Sequence, residues 1–212
     1  MADAVDKTYF QELADQDPAV ICRRVPGCQF HADVGFYTLP VWGQTYTLYP
    51  REAVIKPLLP ADEAPHELFC FFIIYYLLRS RAAAPSGRWI SEKDIPGGAT
   101  FFRGPHQIPT RLISRRYEND IEAFSRTCRG LQGSPLTMGD AAYRFEITPD
   151  IPVAVLYWAG DEDFAAEAKL LYDQRIGHQL PPDVIFSLAV EVCRRVGRAA
   201  WKRLSDNDGD QP

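Results

Sequence analysis

Three acids in succession, Asp161, Glu162 and Asp163, follow the apolar run IPVAVLYW at 151–158. Hard divalent cations take oxygen ligands from such groups. Paired carboxylates also divide acid and base roles when burial raises the pKa of one of them. Asp173 and His178 follow the next apolar run, and this reading gathers them with Asp161 and Glu162 at one end of a sheet. The same residues fit a plain β-connection. Gly160 then permits the turn, Asp161 caps backbone N–H groups, and Phe164 pins the turn into the core. The turn is the default expectation, and no metal set is assigned.

A second group is basic. PGGATFFRGPHQIPTRLISRR at 96–116 places Gly97 and Gly98 ahead of Arg103, His106, Arg111, Arg115 and Arg116. Backbone amides of a glycine-rich turn, a helix start and several guanidiniums suit a phosphate or carboxylate. The spacing matches neither a P-loop nor a dinucleotide fingerprint, and a Pro-Gly-Gly turn before a helix with a solvated basic face explains it equally. Cys22, Cys28 and His31 are spaced C-x5-C-x2-H, which is not a zinc pattern and lacks a fourth ligand. Trp42, Trp89, Trp158 and the tyrosines at 37, 46, 49, 75, 76 and 157 suit a flat organic cofactor or, more simply, a core. Neither Gly-x-Ser-x-Gly nor His-Glu-x-x-His occurs, so no catalytic residue is assigned and the common hydrolase classes are disfavoured.

The elements that must position these residues alternate irregularly. Residues 5–22 read as a helix on Tyr9, Phe10, Leu13, Val20 and Ile21, interrupted at Pro18. Residues 34–49 read as a hairpin turning at Trp42-Gly43-Gln44, with Pro40 demanding an edge or a bulge. A buried helix runs from Asp62–Pro65 to about Arg81. A loop-rich stretch follows at 88–102. One amphipathic helix then carries Ile108, Leu112, Ile113, Tyr117, Ile121, Phe124, Cys128 and Leu131. Strands follow at 142–147, 151–158 and 168–172, the second apolar enough to be central. Pro181 and Pro182 open a last helix on Ile185, Leu188, Ala189, Val192 and Val196, whose basic end complements its dipole. The fold class is α+β: an antiparallel sheet, formed by the N-terminal hairpin and a C-terminal meander, packed with about four helices in a single domain over 1–204. Residues 205–212, SDNDGDQP, read as a disordered acidic tail.

Composition narrows the function class. A net charge of −5 opposes nucleic acid as a partner, since phosphate binding requires a dominant basic surface. The most apolar run, LFCFFIIYYLL at 68–78, has 11 residues, too few for a bilayer span of roughly 20. No membrane partner is expected. The N-terminus lacks an apolar core of signal-peptide length. Five cysteines without a CxxC fit reduced thiols in a cytoplasm.

Three blocks in order, GRWISEKDIPGG, GDAAYRFEITPDIPVAVLYWAGDEDFAAEAKLLYD and LPPDVIFSLA, resemble the DUF3786 family. The family pattern is a strand ending in Trp-x-Gly-Asp-Glu-x-Phe, matched by Trp158, Gly160, Asp161, Glu162 and Phe164. A stretch resembling Leu-Phe-Asp is matched by Leu171 and Asp173, with Tyr172 in place of Phe. Trp89, Ile90, Gly97 and Gly98 match the earlier block. The resemblance covers about 65–190, with a weaker echo in the hairpin. It implies a setting in anaerobic bacteria and archaea and supplies no reaction. The resemblance implies added cysteine-rich iron–sulfur segments in some relatives, and this chain has no such cysteine cluster. The expected function is a module binding a small anionic or aromatic ligand, a cofactor or a partner protein. The ligand-binding residues expected are Asp161, Glu162, Asp173, His178, Gly97, Gly98, Arg103 and Arg111. The alternatives are a metal-assisted enzyme using the acidic loop and a structural interaction subunit. Cofactor identity and oligomeric state are left open.

Overall fold

The hairpin and the meander lie in two separate antiparallel sheets. The computed structural model describes residues 5–59, 64–81 and 83–198. The start of the buried helix at Asp62 and the acidic tail lie outside the described residues.

The N-terminal break falls where proline places it. Helix α1 (Lys7–Asp15) is capped by the Asp6 carboxylate, and α2 (Pro18–Arg24) by that of Asp17. Pro18 sits in the first turn of α2, where its missing N–H is no loss. The first sheet runs in order β1 (Gln29–His31), β2 (Phe36–Val41), β3 (Gln44–Tyr49) and β4 (Val54–Pro57). Trp42 and Gly43 turn the hairpin with positive φ at both positions, 47° and 72°, the geometry that follows strand twist. Strand β2 lies inside its sheet, yet β1 reaches only as far as Thr38. Pro40 therefore stands on an uncovered stretch, where no ladder donor is missed.

Helix α3 (Glu67–Arg79) is apolar almost all round and packs against α8 (Pro182–Val196). The loop-rich stretch holds β5 (Trp89–Ile90) and α4 (Gly98–Phe101). The long amphipathic helix expected over 108–131 is two helices, α5 (Arg111–Tyr117) and α6 (Ile121–Gly130). Glu118 breaks it, at φ 51° and ψ −96°, and the Asp120 side chain caps α6 by accepting from the Ala123 N–H at 2.8 Å. The apolar period runs through the break because Tyr117, Phe124 and Cys128 all face one core.

The second sheet has the order β5, β9 (Glu167–Asp173), β8 (Ile151–Trp158), β7 (Ala141–Thr148), β6 (Ser134–Leu136). Strand β8 is the middle one. Its inward residues Val153, Val155 and Tyr157 join the main core, while Ala154 and Leu156 form a second small cluster with Ala142 on the other face. That double burial explains a continuous apolar run in an antiparallel strand. A short helix α7 (Ile176–Gln179) leads into α8. One buried cluster extends from Val5 to Val196 and includes residues of both sheets.

Two polar clusters fasten the elements together. The Glu191 carboxylate on α8 is 3% exposed and accepts from Arg194 and Arg195 at 2.7 and 2.8 Å. Arg195 also donates to the Tyr46 hydroxyl at 2.9 Å and lies over the Trp42 and Phe69 rings. At the β7–β8 turn, the buried Asp150 carboxylate accepts from Tyr76 at 2.5 Å and Thr148 at 2.7 Å.

Candidate functional site

Residues 111, 114, 115 and 118 are spaced i, i+3, i+4, i+7, so they share one face of α5. Here they are Arg111, Ser114, Arg115 and Glu118, a polar stripe opposite the buried Leu112, Ile113 and Tyr117. The stripe faces the loop that joins β8 to β9. Together they enclose an open groove of about 510 Å³, completed by Asn119, Gly160, Asp161 and the segment 164–166. That volume suits a small organic ligand.

The groove exists because the helix breaks. The Glu118 carbonyl accepts two bonds, from the Gly160 N–H at 3.0 Å and from the Tyr157 hydroxyl at 2.5 Å. Burial pushes the Tyr157 phenol up to about 12, with Glu118, Asp120 and Tyr117 adding to it, so it stays a donor. These two bonds hold Glu118 in a backbone region that non-glycine residues enter only when the surroundings enforce it.

The loop is shaped by Asp161 itself. Its Oδ1 accepts from the N–H groups of Asp163 and Phe164 at 2.9 and 2.7 Å, and its own N–H donates to the Phe164 carbonyl at 2.9 Å. Gly160 is required by the loop's return: a Cβ there would stand 2.9 Å from the Ala166 nitrogen and 3.2 Å from the Phe164 carbonyl oxygen. The turn closes without Phe164 entering the core. Its ring is 75% exposed and lines the groove, contrary to the expected anchoring role.

The charges lining the groove are equal in number, two guanidiniums and two carboxylates, but they are not paired with one another. Among the described residues, Arg111 and Arg115 have no carboxylate at ion-pair distance, and neither does Glu118 have a basic partner. Asp161 has part of its acceptor capacity spent on backbone amides. The groove thus offers two guanidiniums, the Ser114 hydroxyl, the Asn119 amide, one uncommitted carboxylate and one aromatic ring.

The residues anticipated from sequence divide among several places. Arg111 and Asp161 come together in the groove. Glu162 is exposed on the same loop and does not line it. Asp173 and His178 are carried away, because β9 runs antiparallel to β8. Asp173 is the last residue of β9, about 20 Å from its start at roughly 3.3 Å per residue, and His178 follows on α7. The Asp173 carboxylate accepts from the Ser86 hydroxyl and from the N–H groups of Gly87 and Arg175. Burial works against the charge, but those donors outweigh it and hold the carboxyl below its usual range.

Gly97 and Gly98 begin α4, away from the groove. A Cβ on Gly98 would come within 2.0 Å of the Glu92 carbonyl oxygen, so the glycine serves a tight chain crossing. Arg103 is exposed beside a short 3-10 turn, Gly104–His106, whose His106 ring stacks on Phe101 at 4.4 Å. Ser114, Glu118, Asn119 and the exposed Phe164 were not anticipated. The R-x-x-S-R-x-x-E spacing could have pointed to a polar face on α5. Nothing local announces that the face looks onto the acidic loop.

Among the described residues, no group of three or more His, Cys, Asp or Glu side chains is arranged to hold a metal ion. No helix among them is long and apolar enough to cross a membrane. No curated protein and no solved structure matches the chain. The family model described as "Domain of unknown function (DUF3786)" matches residues 17–195, spanning both sheets and the groove. The chain belongs to that family.

Proposed function

We propose that the protein is a cytoplasmic binding module for a small organic anion, seated in the groove between α5 and the β8–β9 loop. The observation that carries this reading is the pair of guanidiniums, Arg111 and Arg115, one helical turn apart on the groove wall with no carboxylate partner among the described residues. Two such groups suit a carboxylate or phosphate, which they meet with charge-assisted hydrogen bonds. The exposed Phe164 ring offers a face for a flat or apolar part of the ligand. Glu118 and Asn119 offer an acceptor and an amide for a donor on its far side. A metal-assisted enzyme using Asp161, Glu162, Asp173 and His178 finds no support in this arrangement, since β9 separates the acidic loop from the last two.

The test is titration calorimetry on the full chain with inorganic phosphate, aliphatic dicarboxylates and aromatic carboxylates as probes. At least one class binds, and the double variant Arg111→Ala/Arg115→Ala weakens it at least about tenfold per guanidinium, as expected for charged hydrogen bonds worth 1.5–3 kcal/mol. Melting of the variant stays unchanged, because neither side chain makes an ion pair among the described residues. Binding that is equal in the double variant, or absent across all three classes, overturns the assignment.

A further inference from the structure

The cysteine pair noted in the sequence is not absorbed by the groove. Cys22 lies on α2 and Cys28 just ahead of β1, and their sulfurs stand 3.3 Å apart. The turn between them is held firmly. The Val25 N–H donates to the Ile21 carbonyl at 2.9 Å and the Cys28 N–H to the Val25 carbonyl at 3.1 Å. Gly27, at φ 75°, lies so close to β2 that a Cβ would meet the Pro40 ring at 2.7 Å. The chain therefore presents two thiols to each other at near-contact distance.

The third member of the sequence pattern does not join them. The His31 Nε2 is hydrogen-bonded to the Thr38 hydroxyl at 3.1 Å, and its ring stacks on Phe36 at 4.6 Å. A tetrahedral metal needs three or four protein ligands, and two sulfurs alone do not supply them. Two-electron thiol chemistry fits the pair directly. A disulfide needs an S–S separation near 2.05 Å, so the sulfurs must close by about 1.2 Å.

We infer that Cys22 and Cys28 form a reversible disulfide by exchange with a small-molecule disulfide. Cys22 is the half-exposed member and Cys28 is 8% exposed. The Cys22 thiolate attacks one sulfur of a disulfide such as oxidised glutathione, forming a mixed disulfide and releasing one thiolate. Cys28 then attacks the Cys22 sulfur, the Cys22–Cys28 bond forms, and the second thiol leaves with the Cys28 proton. The protein loses two electrons and the incoming disulfide becomes two thiols. Burial, reinforced by the adjoining Cys22, holds the Cys28 thiol far above its usual range. Cys28 thus resolves the mixed disulfide and does not initiate attack. Cys70, Cys128 and Cys193 lack a sulfur neighbour among the described residues and serve as internal controls.

The full-length protein is equilibrated under native conditions with reduced and oxidised glutathione, alkylated and digested with trypsin. Cleavage after Arg23 and Arg24 separates the two cysteines, so a linked pair of peptides reports the bond directly. The wild type shows the 22–28 link at least about tenfold above glutathione carried on Cys22, because the second thiol is already in place. Cys28→Ser leaves glutathione on Cys22, while Cys22→Ser leaves Cys28 unmodified. Reducing agent restores both thiols. The wild-type experiment stands by itself if a variant fails to fold. Glutathione accumulating on Cys22 of the wild type, absence of reaction at both sites, or links spread equally over the other cysteines overturns the inference.

Discussion

Replacing Glu118 by glycine should stabilise the protein. Glu118 sits at φ 51° and ψ −96°, and a non-glycine residue there costs on the order of 1–3 kcal/mol. Glycine enters that region freely but brings more unfolded-state freedom, a cost of about 0.5–1 kcal/mol. The two bonds accepted by the backbone carbonyl, from Gly160 and Tyr157, survive the substitution. The carboxylate makes no ion pair among the described residues, so its loss is neutral to stability. The net expectation is a gain of about 0.5–2 kcal/mol. For a chain of this size it appears as a rise in Tm of roughly 1–8 °C. Urea unfolding of wild type, Glu118→Gly and Glu118→Ala measures it. Alanine removes the carboxylate and keeps the strain, so it should stay within about 0.5 kcal/mol of wild type. A glycine variant no more stable than the alanine variant would show that the strain at the break does not exceed glycine's entropic cost. The picture of a groove held open by a constrained backbone would then fail.

Two further perturbations address the frame around the site. Glu191→Ala removes the buried carboxylate between Arg194 and Arg195 and should cost about 3–5 kcal/mol in urea unfolding. In an Arg195→Met background the cost should shrink markedly, and equal costs in both backgrounds would refute the coupling. His66 caps α3 by accepting the Leu68 N–H on its Nδ1 at 3.2 Å. Burial first, then the nearby Arg194, holds this imidazole below its usual range. The folded state therefore binds its proton less readily than the unfolded state, so the cap's contribution is complete above about pH 6.5 and fades as pH falls through the lower folded value. His66→Asn keeps a capping acceptor that does not titrate. Wild type should lose stability relative to His66→Asn as the pH falls from 7 to 5. Parallel pH curves would sink that account.

Much of the molecule was legible from local pattern. The apolar stripe at 185–196, the alternation at 142–147 and the turn at Trp42-Gly43 each follow from side-chain period or from a backbone that few residues adopt. Pro18 marks the first helix break because a proline acts within a few residues of itself. Asp161 shaping its own loop is equally local, an Asx turn over three residues. The resemblance in spaced blocks rested on the same residues.

The candidate site was half legible. Arg111 and Asp161 were singled out, but each was grouped with neighbours in sequence: Arg111 with Gly97 and Arg103, Asp161 with Asp173 and His178. The tertiary fold undid both groupings. Antiparallel β9 carries Asp173 away from the loop it leaves, and Gly98 turns out to serve a backbone crossing. The break at Glu118 was invisible because Tyr117 and Phe124 keep the apolar period across it. Periodicity reports which side chains face the core, whatever the backbone does between them. Sequence by itself determined the α+β class, the positions of most elements, the local turn at Asp161 and the closeness of Cys22 to Cys28 along the chain. Tertiary structure alone decided that two basic side chains and an aromatic ring face one another across a groove. That meeting depends on hydrogen bonds from Tyr157 and Gly160 to a carbonyl some 40 residues away, and contacts of such range leave no mark in local pattern.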